Sequence, residues 1–457
     1  MEPPTYWASC ATGLQFCLRA ELEAIEGTDV ISDSLAQGGV LFRTNAEPKE
    51  LAKLRAADNI YAFLGHHQDV PLEKEAAVEY LTSLSAKIDW KSPLELYRRW
   101  KQLDETKNCS ASKSSSEDKE NMDASSSPLT FRVTSDRICK NMMKQKYTSM
   151  DAAAAIGDGV NELLGWKASM RVYDVEVLAW IRDMELLIVV ALIYSGNKTI
   201  ERLFENNVAE EKCTTENLPE APRLSEAPKD TEVKFQRPSR SEAQLHSRRQ
   251  YRKALVGTSL KPSTSYALLQ LAQIKPGHVV LDPMCGCGTI PLEAVDWLGG
   301  QIMSIGADNN PKAVDAAAIN VRGGGGRGPC DVLSWDAANL PLRSGTIDRV
   351  VCDMPFGNRC GNYKVREWLC PKVVKEVVRI LQRGTGIAVL MAQSKTMRQE
   401  VEVNQKPFLE MLQHILVEME GLTVDVYVVR RTIEPPPIHE FRPKKANHKR
   451  QRVVVKR

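Results

Sequence analysis

The segment Arg349-Val350-Val351-Cys352-Asp353-Met354-Pro355-Phe356-Gly357 holds the most specific chemical pattern in the chain. An apolar run that reads as a strand delivers a carboxylate, a proline-fixed loop and an aromatic ring in succession. Such a set suits a planar amine. Asp353 and a loop carbonyl can accept the amine's two N–H groups, Pro355 fixes the local backbone, and Phe356 can stack on a base, a contact worth roughly 1–3 kcal/mol. Hydrogen bonding and stacking on one flipped base are how enzymes acting on nucleobases hold their target. Alone, Asp-x-Pro-Phe is an ordinary turn. At the end of the fourth strand of an alternating strand–helix pattern it is a candidate acceptor site, with Asp353, Pro355 and Phe356 as catalytic candidates.

A second pattern precedes it. The strand His278–Leu281 runs into Asp282-Pro283-Met284-Cys285-Gly286-Cys287-Gly288-Thr289, and a helix follows. Open α/β sheets bind ligands where loops leave the carboxyl ends of their strands. Gly286 and Gly288 let the backbone approach a ligand closely. The match to a dinucleotide fingerprint is poor, because the third glycine is absent. An acid at the strand end, in place of a phosphate cradle, argues for a ligand with an ammonium group, as in the methionine part of S-adenosylmethionine. After the next strand, Ile305-Gly306-Ala307 ends in Asp308-Asn309, where an Asp can accept both ribose hydroxyls of an adenosine. Asp336, after Cys330–Leu333, could meet the adenine amine or cap a helix. The cofactor-binding candidates are thus Asp282, Pro283, Cys285, Gly286, Gly288, Thr289, Asp308, Asn309 and Asp336. No ligand set for a metal is evident: Cys285 and Cys287 have no second pair at zinc spacing. A cysteine nucleophile would need Pro-Cys on the catalytic loop, which has Pro-Phe.

These residues need a scaffold. From Pro262 the chain alternates strands (Val279–Asp282, Ser304–Ala307, Arg349–Asp353, Ile387–Met391) with helices (Ile290–Trp297, Pro311–Val321, Lys372–Leu381), which implies a parallel sheet covered on both faces. Late strands, Val424–Val429 among them, are expected as an antiparallel edge. The N-terminal region reads βαββαβ, a ferredoxin-like order: strand Tyr6–Ala11, helix Leu14–Ile25, strands Val30–Ser34 and Gly39–Arg43, helix Glu47–Ala57, strand Asn59–Leu64. A second small α/β unit comprises strand Leu129–Thr134, helix Met150–Leu164 and strands Asp174–Ile181 and Glu185–Tyr194. The expected fold class is therefore α/β, with a C-terminal Rossmann-like sheet and two N-terminal α/β units. The division is 1–68, 69–196 with a polar, disordered insertion at about 105–127, a linker at 197–250, the C-terminal domain at 251–435 and a basic tail at 436–457. Every residue assigned to chemistry lies after Leu281, so a chain starting near Ser247 is expected to bind the cofactor by itself, provided its folding does not need the missing half.

With 457 residues, 43% hydrophobic and 26% charged, the chain has the composition of a soluble protein of two or three domains. The net charge of +3 names no partner. The tail His439–Arg457 holds eight Lys or Arg against one acid, Glu440; it suits phosphate backbones or an import receptor, or is a solvated end. Arg132, Arg137, Lys140, Lys144, Lys146, Lys167 and Arg171 suit RNA phosphates, although Lys140, Lys144 and Lys146 could equally be a solvated face. The eleven cysteines form no disulfide framework. The longest apolar run, Leu186–Tyr194, is short of the roughly 20 residues that cross a bilayer. No membrane association is expected, and no signal peptide is visible. The expected location is the cytoplasm, with the basic tail permitting nuclear entry.

Together, Asp282–Ile290, Ala307-Asp308-Asn309-Asn310-Pro311, Leu340-Pro341-Leu342-Arg343 and Asp353-Met354-Pro355-Phe356-Gly357 resemble the eukaryotic THUMP-domain guanosine-N2-methyltransferases. Asp89–Leu94, Leu129–Thr134, Gly165–Ala168 and Asp174–Val177 extend the resemblance into the N-terminal half. Two places depart from the family pattern: Met354 stands at the first proline of its Asp/Asn-Pro-Pro-Tyr/Phe motif, and Val256–Ser263 lacks its Leu-Arg-x-Thr. The resemblance implies a THUMP RNA-binding domain at 69–196 that grips the acceptor end of tRNA. It implies a Rossmann-like methyltransferase domain that moves a methyl group from S-adenosylmethionine to the exocyclic N2 of a guanosine. It further implies a small zinc-binding activator subunit as partner. The alternatives are a small nuclear RNA guanosine-N2-methyltransferase and a non-catalytic RNA-binding protein with a decayed methyltransferase domain. A protein glutamine or DNA adenine methyltransferase would also present a planar amine, but two N-terminal α/β units favour RNA.

Overall fold

The computed structural model describes residues 2–33, 38–109, 129–137, 145–193, 249, 251–255, 259–323, 328–355, 363–393, 395–419 and 422–435. The fold is α/β, built on two sheets. The expected insertion beyond Cys109, most of the linker, the basic tail, Lys140, Lys144 and Phe356 lie outside the described residues.

The first sheet has eight strands in the order β2-β3-β1-β4-β8-β7-β5-β6. Its first four are β1 (Thr5–Ser9), β2 (Asp29–Ser32), β3 (Gly39–Arg43) and β4 (Asn59–His67). β1 lies between β3 and β4, antiparallel to both, which is the ferredoxin-like arrangement the βαββαβ order implies. The second half is β5 (Thr130–Arg137), β6 (Lys167–Ala168), β7 (Val175–Arg182) and β8 (Glu185–Ile193). β4 pairs antiparallel with β8, with register shifts at Ile60/Tyr61 and Phe63/Gly65, so the two N-terminal units share one continuous sheet. That pairing carries β4 beyond Leu64 to His67. The expected helix Glu47–Ala57 contracts to Pro48–Leu51, because Leu54, Ala56 and Ala57 are buried in extended or turned backbone leading to β4. Two helices, Lys74–Leu84 and Lys91–Cys109, fall where no element was expected, and the second runs into the stretch expected to be disordered. The helix Ser149–Leu164 begins on a reciprocal Thr148/Asp151 capping box and ends at Gly165 in the left-handed region.

The second sheet has the order β11-β10-β9-β12-β13-β15-β14. Its strands are β9 (Val279–Asp282), β10 (Met303–Asp308), β11 (Cys330–Ser334), β12 (Arg349–Asp353), β13 (Ile387–Ala392), β14 (Leu409–Met419) and β15 (Leu422–Arg431). β9 to β13 run parallel, while β15 and β14 are antiparallel and close one edge. Val280, Leu281, Val350, Val351, Val389 and Leu390 are each at most 1% exposed, as expected of strands covered on both faces. The chain builds outward from β9 through β10 to β11, then crosses back to β12 on the other side of β9. Pairing of β12 with β9 is confined to Arg349↔Val280 and Val350↔Leu281. Beyond it the two strands separate toward their carboxyl ends, which is the topological switch point where such sheets take ligands.

One hydrophobic core runs through both halves. Leu18 and Leu22 of the first helix belong to the same buried cluster as Leu268, Leu269, Ala294 and Val417. No helix among the described residues is long and apolar enough to cross a membrane.

Candidate active site

β9, β10 and β12 each end in an aspartate. Asp282 is 2% exposed, and its Oδ1 accepts from the Met284 N–H at 3.0 Å. Burial pushes its carboxyl well above the ordinary range, and the neighbouring Asp353 and Asp308 add to the rise. Asp353 is pushed up to about 8 by burial, and its buried Oδ1 has no hydrogen-bond partner among the described residues. Among the described residues no Lys or Arg pairs with Asp282, Asp308 or Asp353. Carboxyls that converge in a poorly solvated crevice repel one another, and a cation or an N–H donor placed between them relieves that cost.

Asp308 already does structural work. Its Oδ2 accepts from the Gly286 N–H at 3.0 Å and its Oδ1 from the Asn310 N–H at 2.8 Å. A carboxylate has about four lone-pair sites, so these two bonds leave capacity for a diol. Asn309, next to it, is exposed. The glycine loop is held on β10: the Cys285 N–H donates to the Ala307 carbonyl at 2.8 Å, and a Cβ on Gly306 would lie 3.0 Å from the Cys285 sulfur. Gly286 and Gly288 have φ of +54° and +83°, the left-handed region that glycine adopts without strain. Gly288 also precedes the helix Thr289–Trp297, whose N-terminus carries no side-chain cap. The Thr289 and Ile290 N–H groups have no intrahelical acceptor, and the positive end of the helix dipole lies there.

Pro283 and Thr289 are buried beneath this loop, with Thr289 Oγ1 3.4 Å from the Cys287 sulfur. The Cys285 and Cys352 thiols are held well above their usual range by burial, so neither is a ready nucleophile. Asp336 is exposed, and its Oδ1 accepts from the Ala338 N–H at 2.9 Å in a turn. No helix starts there, which removes the helix-capping alternative for this residue. Met354 is 1% exposed; its N–H donates to the Met391 carbonyl and its sulfur packs on Cys352. It is a core residue that turns Asp353 and Pro355 outward. The Leu340–Arg343 segment is scaffold too, because Arg379 donates to the Leu340 and Leu342 carbonyls.

Two residues escaped the sequence reading. Glu293, fully buried, accepts from Arg55 at 2.8 Å, Arg249 at 2.9 Å and the Tyr251 hydroxyl at 2.6 Å. Asn320, 1% exposed, hydrogen-bonds to residues 253, 254 and 287. Each is a polar side chain on an otherwise apolar helical stripe, a signal visible in Ile290–Val295 and in Ala313, Ala316, Ala317.

Residues 249–421 match the family of RMKL-like methyltransferase domains. The chain is 32% identical over 317 residues to the mouse (Mus musculus) tRNA (guanine(6)-N(2))-methyltransferase THUMP3, covering 66% of this chain and 52% of that protein. It is 25% identical over 266 residues to the bovine (Bos taurus) U6 snRNA (guanine-N(2))-methyltransferase THUMPD2, covering 58% of this chain and 41% of that one. The chain thus spans about half the length of the curated relatives it matches. TrmN from Thermus thermophilus has the same fold: TM-score 0.59 and 20% identity, over 93% of this chain and 99% of that one. The strand order, the glycine loop and these likenesses agree that the C-terminal half is a Rossmann-like domain similar to the RMKL-like methyltransferase domains, in a chain similar to tRNA and U6 snRNA guanine-N(2)-methyltransferases.

Proposed function

We propose that the protein transfers a methyl group from S-adenosylmethionine to the exocyclic N2 of a guanosine in the acceptor region of tRNA. The observation that carries this reading is the convergence of Asp282, Asp308 and Asp353 at a switch point, with no basic partner among the described residues and one buried acceptor oxygen unused. S-adenosylmethionine fits this donor set. Its ammonium would meet Asp282, its carboxylate the open N-terminus at Thr289, and its ribose Asp308; when bound, it supplies an electrophilic methyl group.

The chain's own part is mostly positioning. A guanine amine is a poor nucleophile because its lone pair delocalises into the ring. The unpartnered Asp353 Oδ1 can accept one amine N–H and aim the nitrogen. The amine sheds its proton only as positive charge develops on it, so Asp353 need be a carboxylate only at that late stage. Pro355 and Phe356 complete the acceptor side in this reading, and Asp336 the adenine side.

Kinship with the mouse and bovine enzymes supports an RNA acceptor, and the bovine likeness keeps a small nuclear RNA as the second reading. A small zinc-binding activator subunit and a cytoplasmic site of action belong to the proposal as well. The test is incubation of the full chain with labelled cofactor and either total tRNA or small nuclear RNA, with and without the activator, followed by nucleoside analysis. N2-methylguanosine in tRNA is expected. Methyl on adenine N6, on cytosine C5 or on a protein amide would sink the acceptor assignment, and label only in small nuclear RNA would favour the second reading. A fluorescent fusion confined to the nucleus would overturn the location.

A further inference from the structure

We propose that Asn320 is a positioning residue for the cofactor loop, and that through it the loop is tied to the joint between the two halves of the molecule. The inference rests on the methyltransferase reading above for its functional meaning, but its structural content is independent of it. Asn320 lies on the helix Pro311–Gly323 at the end of the buried stripe Ala313, Ala316, Ala317, Asn320. A carboxamide at such a position is costly unless its hydrogen bonds are made. Here all four are made. Oδ1 accepts from the Lys253 N–H at 2.8 Å and the Ala254 N–H at 2.7 Å. Nδ2 donates to the Ala254 carbonyl at 2.7 Å and the Cys287 carbonyl at 2.8 Å. A flipped amide would set NH2 against two N–H groups, so the orientation is fixed by the network.

Those partners belong to two different pieces of chain. Cys287 lies between Gly286 and Gly288, at the centre of the loop that approaches the cofactor. Lys253 and Ala254 belong to a strap that enters the methyltransferase domain from the N-terminal side. At its other end the strap is pinned by Arg249 and Tyr251 to Glu293, which also binds Arg55 of the ferredoxin-like unit. The glycine loop is thus clamped from three directions: by the Ala307 carbonyl, by Asp308 and by Asn320. The third clamp connects it to the strap, and through Glu293 to the N-terminal sheet, and the Cys287 sulfur also meets the Ser259 hydroxyl at 3.1 Å, just beyond the strap.

The consequence is that the loop is ordered before the cofactor arrives, at a cost carried by Asn320, and that a disturbance of the strap reaches the loop. Asn320→Asp is the informative variant. It keeps the acceptor for Lys253 and Ala254 and loses the donors, so it frees the loop and retains much of the strap. Asn320→Ala frees both. The experiment uses the full chain in two measurements. The first is hydrogen exchange without ligand over residues 284–289, 251–255 and the strands β9, β12 and β13. In Asn320→Asp we expect roughly tenfold faster exchange at 284–289 with the three strands unchanged; in Asn320→Ala, faster exchange at 251–255 as well. The second is calorimetric binding of S-adenosylhomocysteine, with steady-state kinetics beside it. About tenfold weaker binding and a raised cofactor KM are expected, with kcat at saturating cofactor within about twofold of the parent.

Unchanged loop exchange in folded variants would overturn the proposal, as would exchange that rises equally in loop and strands, or a kcat that falls with KM unmoved. If the parent chain bound no S-adenosylhomocysteine while Asn320→Asp still loosened the loop, the methyltransferase reading would fail and the clamp would stand.

Discussion

Asp353 is placed by its neighbours rather than by its own bonds. Buried Met354 and Cys352 anchor the backbone on either side, and one carboxyl oxygen has no partner among the described residues. Burial pushes it up to about 8, far above an exposed carboxyl, and the sign of the effect on stability follows. The folded state holds a proton between the unfolded value, near 3.9, and about 8, where the unfolded chain does not. Its contribution to stability is therefore fully present below pH 4 and is lost as pH rises toward 8. Asp353→Asn, which keeps the shape and removes the charge, should raise the melting temperature over the parent more at pH 8 than at pH 5. It should also cost at least tenfold in kcat. In the parent, kcat/KM should rise with pH through an apparent pKa near 8, since that ratio reports the free enzyme. A flat profile, or an Asn variant keeping more than a tenth of the rate, would remove Asp353 from the proton's path. Asp308 makes a different prediction. It supports Gly286 and, in the proposed function, would accept from the ribose, so Asp308→Ala should weaken S-adenosylmethionine by about 1–3 kcal/mol by calorimetry, and unchanged affinity in a folded variant would exclude it from the site.

Individual elements show where sequence logic succeeds. β9 and β12 were readable to the residue, because a short apolar run ended by an acid, with Arg349 opening β12, can be little else in an alternating pattern. β14 was not: its burial alternates irregularly, and its place is set by pairing with β15. The helices Lys74–Leu84 and Lys91–Cys109 were missed for the opposite reason, being amphipathic but polar enough to read as loop. In the site, the acids and glycines were legible from type and spacing. The Asn320 and Glu293 networks were not, because their partners lie far away in sequence, although a lone polar residue on an apolar stripe marked both. Gly288 tests the loop as an element. A β-carbon there would sit 3.3 Å from that of Ala317, and φ is +83°. Gly288→Ala should cost roughly 1–2 kcal/mol from the left-handed conformation alone, read as a lower melting temperature, with a weaker cofactor complex beside it. A variant that melts and binds like the parent would show that the loop relaxes freely.

Over the whole molecule, the expectation that the C-terminal half binds cofactor alone meets the shared core. A chain starting at residue 249 would expose Leu268, Leu269 and Ala294, which pack in one cluster with Leu18 and Leu22, and would leave Glu293 without Arg55. Glu293→Ala in the full chain leaves Arg249 without its acidic partner in a half-buried joint and Arg55 with Asp296 alone. By the usual cost of breaking such a pair it should destabilise the fold by about 3–5 kcal/mol in denaturant titration. A loss under about 1 kcal/mol would show that the joint is carried by its apolar contacts.

RNA capture, as the proposed function requires it, belongs to the largest scale, and the structure sorts the basic residues that could provide it. Arg132 is committed internally: its guanidinium is paired with Glu176 and lies 4.5 Å from the Tyr173 ring centroid. Arg137 donates to the Tyr147 carbonyl and to Gln145, and Lys146 pairs with Glu73 at 2.8 Å. Arg132 and Arg137 are thus engaged inside the second α/β unit, whereas the Lys146–Glu73 pair is an exposed one. Lys167 and Arg171 are exposed, at the β6 edge of the eight-stranded sheet, beside Met170 and Val172, which are 74% and 65% exposed. If this edge meets the RNA backbone, its contribution is counterion release, which appears as a slope of log affinity against log salt. Replacing both Lys167 and Arg171 with Ala should then lower affinity for tRNA and reduce the slope by about 1–2, with melting temperature and S-adenosylmethionine affinity unchanged. Arg132→Ala should do the reverse, lowering the melting temperature through the stranded Glu176 while leaving the slope of the surviving folded protein where it was. Filter binding of the parent and both variants across a salt series separates the two roles. An unchanged slope in the Lys167/Arg171 variant would place the RNA on another face.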